Sequence, residues 1–294
     1  MEGPRIFREY DVAVDAGALL GEGPRWDAAT QTLLWVDIVG RKVHRYDPAT
    51  GADTAVDVPG LVSLALPRAR GGLVVGIGDG LHLLDGDRLL PLVDIEPGRT
   101  DVRTNDGACD AAGRLWVGTM ALDERSPLGA LYRVDADLGV TRVLSGTTIS
   151  NGLGWSPSGR RFSFIDSPTR RIDVFDFEPA TGALEGRRPL AAVEVEGAVP
   201  DGLAVDAEGG VWVALHGGWG LRRYSAEGEL SAVVDLPVAK ITSCCFGGPE
   251  LCDLYVTTRR EGLSPAEAAE QPLAGALLRL DVGVAGLATH AFAG

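Results

Sequence analysis

A hydrophobic strand led in by a turn rich in Asp, Asn and Gly recurs six times along this chain, and that recurrence limits the fold more than any other feature. The strands centre on Trp35, Val74, Trp116, Phe164, Trp212 and Tyr255, at intervals of 39, 42, 48, 48 and 43 residues. Each centre is followed by a second strand signature ending in Asp or Ser, from Val43-His44-Arg45-Tyr46-Asp47 at the start to Leu277-Leu278-Arg279-Leu280-Asp281 at the end. Alternate apolar positions send one face of that strand into a core and leave His or Arg on the other. Repeats of this length, built of strands with little helix, make the blades of a β-propeller around a central channel. The expected fold is therefore all-β, a six-bladed β-propeller. All of 1–294 is expected to be one domain, because each blade buries its faces only against its neighbours.

Arg8 to Val14 alternates apolar and polar residues ahead of the first full repeat. That segment is expected to close the ring as the outer strand of the last blade, since closure protects open sheet edges. Ser264-Pro265-Ala266-Glu267 reads as a helix start, with Ser as cap, Pro in the first turn and Glu reaching back, so one short helix is expected from Ser264 to about Glu270. The glycine-rich Gly76-Ile77-Gly78-Asp79-Gly80-Leu81 joins two strands with no helix after it, which makes it a hairpin turn and not a nucleotide loop.

Composition removes several functions. A formal charge of −14, with no run of Lys and Arg, would repel phosphate backbones and argues against nucleic acid. No stretch approaches the roughly 20 apolar residues of a spanning helix. Met1-Glu2-Gly3-Pro4-Arg5 lacks the basic start and apolar core of a signal peptide, so a cytoplasmic location without membrane contact is expected. Cys109, Cys244, Cys245 and Cys252 are expected to be free, buried thiols in a chain large enough to hold itself by its core. His44, His82, His216 and His290 show neither metal-ligand spacing nor an accompanying serine elbow. The six tryptophans fall mostly at blade centres, where core packing accounts for them.

The innermost strand of each blade runs along the channel, so its first residues open at one end of the pore. Four of the six lead-ins, Gly21-Glu22-Gly23, Thr104-Asn105-Asp106-Gly107, Ser150-Asn151-Gly152 and Pro200-Asp201-Gly202, place an acid or amide beside Gly at the same repeat position. Glu22, Asn105, Asn151 and Asp201 should then face one another across the axis as an oxygen-rich ring. Asn-Gly and Asp-Gly are also ordinary turn formers, so Asn105, Asn151 or Asp201 taken singly reads as a turn residue. Glu22, an unusual turn residue in the matching place, points instead to a joint site. Two carboxylates and an amide oxygen suit calcium, magnesium or manganese, and zinc can use the same ligands. Arg103, two residues before Asn105, should share its side of the strand. It is suited to hydroxyls or an oxyanion, or to an ion pair with a nearby carboxylate. Asp123, in the loop Met120 to Gly129, is within reach of the pore mouth; alone it is a solvated loop charge.

Over nearly its whole length the chain resembles the senescence-marker-protein, regucalcin and gluconolactonase family of six-bladed propellers. The resemblance is carried by Leu20-Gly21-Glu22-Gly23-Pro24 with Trp26-Asp27, and by Arg103-Thr104-Asn105-Asp106-Gly107 with Gly113-Arg114 and Gly118-Thr119-Met120. It continues in Ile149-Ser150-Asn151-Gly152-Leu153 with Ile165-Asp166-Ser167, Pro200-Asp201-Gly202 with Asp206-Ala207-Glu208-Gly209, Thr242-Ser243-Cys244-Cys245-Phe246-Gly247-Gly248, Gln271-Pro272 and Phe292-Ala293-Gly294. It implies a divalent cation held by Glu22, Asn151 and Asp201, with Arg103 and Asn105 contacting a sugar lactone and Asp201 also transferring a proton. Asp123 stands where animal members carry Glu, and Leu122 where they carry another acid, which implies altered sugar contacts. The expected activity is metal-dependent opening of an aldonolactone, such as gluconolactone or a pentonolactone, with calcium, zinc, manganese or ferrous iron as the metal. The alternatives are a calcium-binding regulator without catalysis, a protein-binding platform, or an esterase or phosphotriesterase on the same scaffold.

Overall fold

In the computed structural model, which describes residues 3–294, every blade begins at the channel and winds outward. The inner strands are Gly21–Asp27, Val62–Pro67, Val102–Cys109, Ser150–Trp155, Val199–Val205 and Ile241–Gly247, and each pairs antiparallel with the strand that carries a repeat centre. The described residues form six sheets, the six-bladed β-propeller that the repeat period predicts.

The chain's two ends hold the ring together. Asp11–Val14 pairs antiparallel with Leu277–Asp281 as the outer strand of the sixth blade. Arg5–Phe7 then adds a parallel fifth strand to blade five, alongside Leu230–Asp235, which the sequence pattern did not announce. At the other end of the chain, a tail lies across the base of the propeller. Ala207 N–H donates to the Ala285 carbonyl, Phe292 N–H to that of Pro67 and Ala293 N–H to that of Gly113. The tail thus runs as a chord from blade five to blades two and three. The helix Pro265–Glu270 sits on a rim loop with Ser264 and Glu267 in a reciprocal capping box, as its sequence predicts.

The core lies between blades. Trp26 stacks on Tyr255 with centroids 6.3 Å apart, Trp116 meets Phe162 at 5.4 Å and Trp212 meets Phe246 at 6.2 Å, each pair joining neighbouring sheets. Burying one such ring contributes about 1.5–3 kcal/mol, and an aromatic pair roughly 0.5–1.5 more, so the repeat centres are what stack the blades. A middle strand need not leave a polar face in water. His44, expected on such a face, is buried, stacked on Trp35 at 3.9 Å with Nδ1 against Asp53 Oδ2 at 2.7 Å. One thiol expectation is corrected: Cys109, Cys244 and Cys245 are free and buried, whereas Cys252, in the turn before Asp253–Thr258, is exposed.

Candidate functional site

All six inner strands break register with their neighbours near their first residues: between Glu22 and Arg25, Val62 and Leu64, Thr104 and Gly107, Ser150 and Leu153, Pro200 and Leu203, and Ile241 and Ser243. A bulge leaves a residue out of the ladder and re-aims its side chain. Here it turns Asn105, Asn151 and Asp201 toward the channel, with Glu22 at the edge of its own break. Glycine beside them is required by space. A Cβ on Gly202 would lie 2.1 Å from Ser243 Oγ, and one on Gly152 only 2.7 Å from the Leu203 nitrogen.

The bulges touch in sequence around the mouth. Ser63 Oγ donates to Thr104 Oγ1 at 2.8 Å, Asn105 Nδ2 to the Ser150 carbonyl at 3.0 Å, and Thr242 Oγ1 to the Gly21 carbonyl at 2.6 Å. Asn151 Nδ2 donates to Asp201 Oδ1 and, at 3.1 Å, to Ser167 Oγ. Residues from every part of the chain thereby meet at one opening.

The electrostatics of that opening are unbalanced. Glu22 is buried, with Oε2 accepting from the Gly23 N–H at 2.7 Å, and its carboxyl is held well above the usual range by burial first, then by the charges of Asp201 and Asp106. Asp201 is pushed up to about 7, chiefly by burial, with Asp106 adding to the rise and the Asn151 amide and the charges of Arg259 and Arg103 opposing it. Asn151 Oδ1 is buried with no partner at all. Two crowded carboxylates beside an orphaned carbonyl oxygen form a hard-oxygen donor set that a divalent cation fits. Among the described residues no three His, Cys, Asp or Glu side chains gather, so the amide is what completes the set.

Arg103 lies at the same opening, buried, with Nη1 donating to the Thr104 carbonyl at 2.9 Å and to Asn105 Oδ1 at 2.8 Å. Asn105 therefore fixes the guanidinium from the same side of the strand. Asp123 lies in an exposed loop and is tied within it. Its carboxylate, held down at about 2, accepts from the Ser126 hydroxyl and from the Ser126 and Arg125 N–H groups in its own exposed loop. Asp followed three residues later by Ser favours this local turn. The neighbouring Glu124 is the loop acid whose charge acts on Arg103.

Beneath the donor set lies a pair that sequence reasoning missed. Arg25 Nη2 donates to Asp106 Oδ1 and to the Gly107 carbonyl, both at 2.9 Å, joining blades one and three across the channel floor. The only local signals were an Arg two residues past Gly23 and an Asp beside Asn105. Two cavities, of about 650 and 480 Å³, lie at the opposite end against the tail, and neither is lined by Glu22, Asn151 or Asp201.

With this geometry in hand, the chain can be set beside known proteins. Residues 20–260 match the model of the SMP-30/Gluconolactonase/LRE-like region. Regucalcin of Gallus gallus is 37% identical over 284 residues, covering 94% of this chain and 95% of its own length. Among solved structures, a luciferin-regenerating enzyme is 35% identical with a TM-score of 0.90, covering 96% of this chain and 98% of its own. A calcium-binding protein, regucalcin, from Agrobacterium tumefaciens is 28% identical with a TM-score of 0.94, covering 99% of each chain.

Proposed function

The chain belongs to the SMP-30/Gluconolactonase/LRE-like family, and on that premise we propose that it is a lactonase that uses a divalent cation to open an aldonolactone, such as gluconolactone or a pentonolactone, to the sugar acid. The observation that carries this reading is the pair Glu22 and Asp201, two carboxylates raised by burial beside the orphaned Asn151 Oδ1. These three residues would hold the cation, with calcium, zinc, manganese and ferrous iron as candidates. Once bound, the cation supplies a Lewis acid for the ester carbonyl and offsets the two carboxylate charges.

Asp201 takes a proton from the water that adds to the lactone carbonyl carbon. The ring C–O bond then breaks, the ring oxygen leaves as a hydroxyl with that proton, and the new acid ionises to a carboxylate. Arg103, fixed by Asn105 and the Thr104 carbonyl, turns its remaining N–H groups to the sugar hydroxyls.

The test is a lactone panel on metal-stripped protein reconstituted with each of the four cations. Turnover should return with a cation and be absent without one. No turnover with any of them would overturn the reading and favour a calcium-binding role like that named for the Agrobacterium relative.

A further inference from the structure

Blade six brings a second guanidinium to the mouth, and the opening of a neutral lactone gives it no task. Arg259 follows the strand Asp253–Thr258 and bridges to Leu20, two residues ahead of Glu22. Blade six stands three blades from blade three, so Arg259 and Arg103 look across the channel at each other. The charge of Arg259 reaches both Asp201 and Arg103.

Its outer nitrogen is occupied: Nη2 donates to Glu261 Oε2 at 2.8 Å. Its Nε is buried with no partner. Beside it, His216 and Lys240 form a backbone bridge, and Arg259 N–H donates to the Lys240 carbonyl at 3.0 Å. Lys240 Nζ donates to the Glu261 carbonyl oxygen at 2.9 Å, and the carboxylates of Glu261 and Glu267 face it from the rim. His216 Nε2 is also buried and unpartnered. Burial, with the charges of Arg259 and Lys240, pushes the imidazole down to about 4 and keeps it neutral. Two neighbouring polar nitrogens thus lack partners beside the mouth.

A buried cationic N–H left unpaired is costly, and a carboxylate is the group that satisfies it with a charge-assisted hydrogen bond. A phosphate would bring nearly two charges against Glu261, which already sits on the same guanidinium. We propose that the preferred substrate carries a second carboxylate: it is the monolactone of a sugar diacid, whose free carboxylate is held by Arg259 Nε with neutral His216 beside it. This rests on the lactonase reading for the chemical step. Arg103 orients the hydroxyls at the far side, and hydrolysis yields a dicarboxylate.

Two measurements test it on the cation-loaded protein. In the first, kcat/KM is compared for glucarolactone, gluconolactone and 6-phosphogluconolactone in wild type, Arg259→Gln and Arg260→Gln, the last being an exposed control. Wild type should favour glucarolactone, and Arg259→Gln should lower the glucarolactone-to-gluconolactone ratio about 10- to 100-fold, mainly through KM, as expected for a lost hydrogen bond to a charged group. Arg260→Gln should leave the ratio in place. A wild-type preference for the neutral or the phosphorylated lactone overturns the proposal, as does an unchanged ratio in Arg259→Gln. In the second, calorimetry compares glucarate with gluconate. Tighter glucarate binding that is lost in Arg259→Gln upholds the carboxylate site even where no lactone turns over, in which case the lactonase reading alone fails; equal binding of the two acids overturns the carboxylate site whether or not lactones turn over.

Discussion

The two ends of the inner strands both carry Asp residues enclosed by protein, yet they treat them in opposite ways. At the base, Asp206 accepts from the Glu208 and Gly210 N–H groups at 3.0 and 2.8 Å, from Trp212 Nε1 at 2.8 Å and from Arg223 Nε at 2.7 Å. Asp110 repeats the arrangement in blade three with Ala112, Arg114 and Trp116. At the mouth, Asp201 accepts from Asn151 alone among the described residues. A buried carboxylate with four donors fastens a turn to a blade centre. One that is given a single donor and two acidic neighbours keeps acceptor capacity that the protein leaves unfilled.

The comparison breaks or sharpens under substitution. The largest effect should come from Asp201→Asn, which keeps the shape and removes the base: turnover should fall by about 10²–10⁴, while a thermal melt of the metal-free protein shows no loss of stability. Unaltered turnover would end the mouth's claim to function. Asp206→Asn should do the reverse. Breaking its buried pair with Arg223 costs about 3–5 kcal/mol, read as a melting temperature lower by roughly 10 °C, and lactone turnover per folded molecule should hold. A variant that melts normally but fails to turn over would erase the distinction between the ends.

Acidity provides a smaller contrast. The raised carboxyls of Glu22 and Asp201 keep protons in the folded state that the unfolded chain releases near pH 4. Where the folded state binds more protons, stability falls as pH rises. Metal-free protein should therefore lose stability progressively as pH rises from about 4 through about 7, where Asp201 titrates. A divalent cation at pH 8 should restore several degrees in a thermal melt. A flat profile without metal would mean the carboxylates are not crowded. The smallest effect concerns thiols: an alkylating reagent should take up one equivalent on the folded protein, at exposed Cys252, and leave Cys109, Cys244 and Cys245 untouched.

The repeat made the six blades legible, because Trp35, Trp116, Trp212 and Tyr255 each mark a strand that the period places. It also led to Glu22, Asn105, Asn151 and Asp201, since an equivalent position in a closed ring is an equivalent distance from the axis. The bulges themselves were not readable. A polar residue beside Gly signals a turn as well as a broken ladder, and only pairing with the second strand tells which. Arg25 and Asp106 are 81 residues apart, and nothing local records their meeting. Asp123 is the opposite case, since its partners Arg125 and Ser126 are so near in sequence that a local turn accounts for its bonds. His44 escaped the two-faced strand rule because Trp35 and Asp53, both of its own sheet, cover its ring and hold its Nδ1.

Pairing the strand Asp11–Val14 with Leu277–Asp281 has a temporal consequence. On a ribosome, the N-terminal strands emerge before their partners in blades five and six have been translated. They must wait, unpaired, until those sheets exist, and long-range strand pairing is slow and exposes edges meanwhile. Final latching is therefore a post-translational event, and until it happens the nascent toroid is an open arc with an adhesive border at either end.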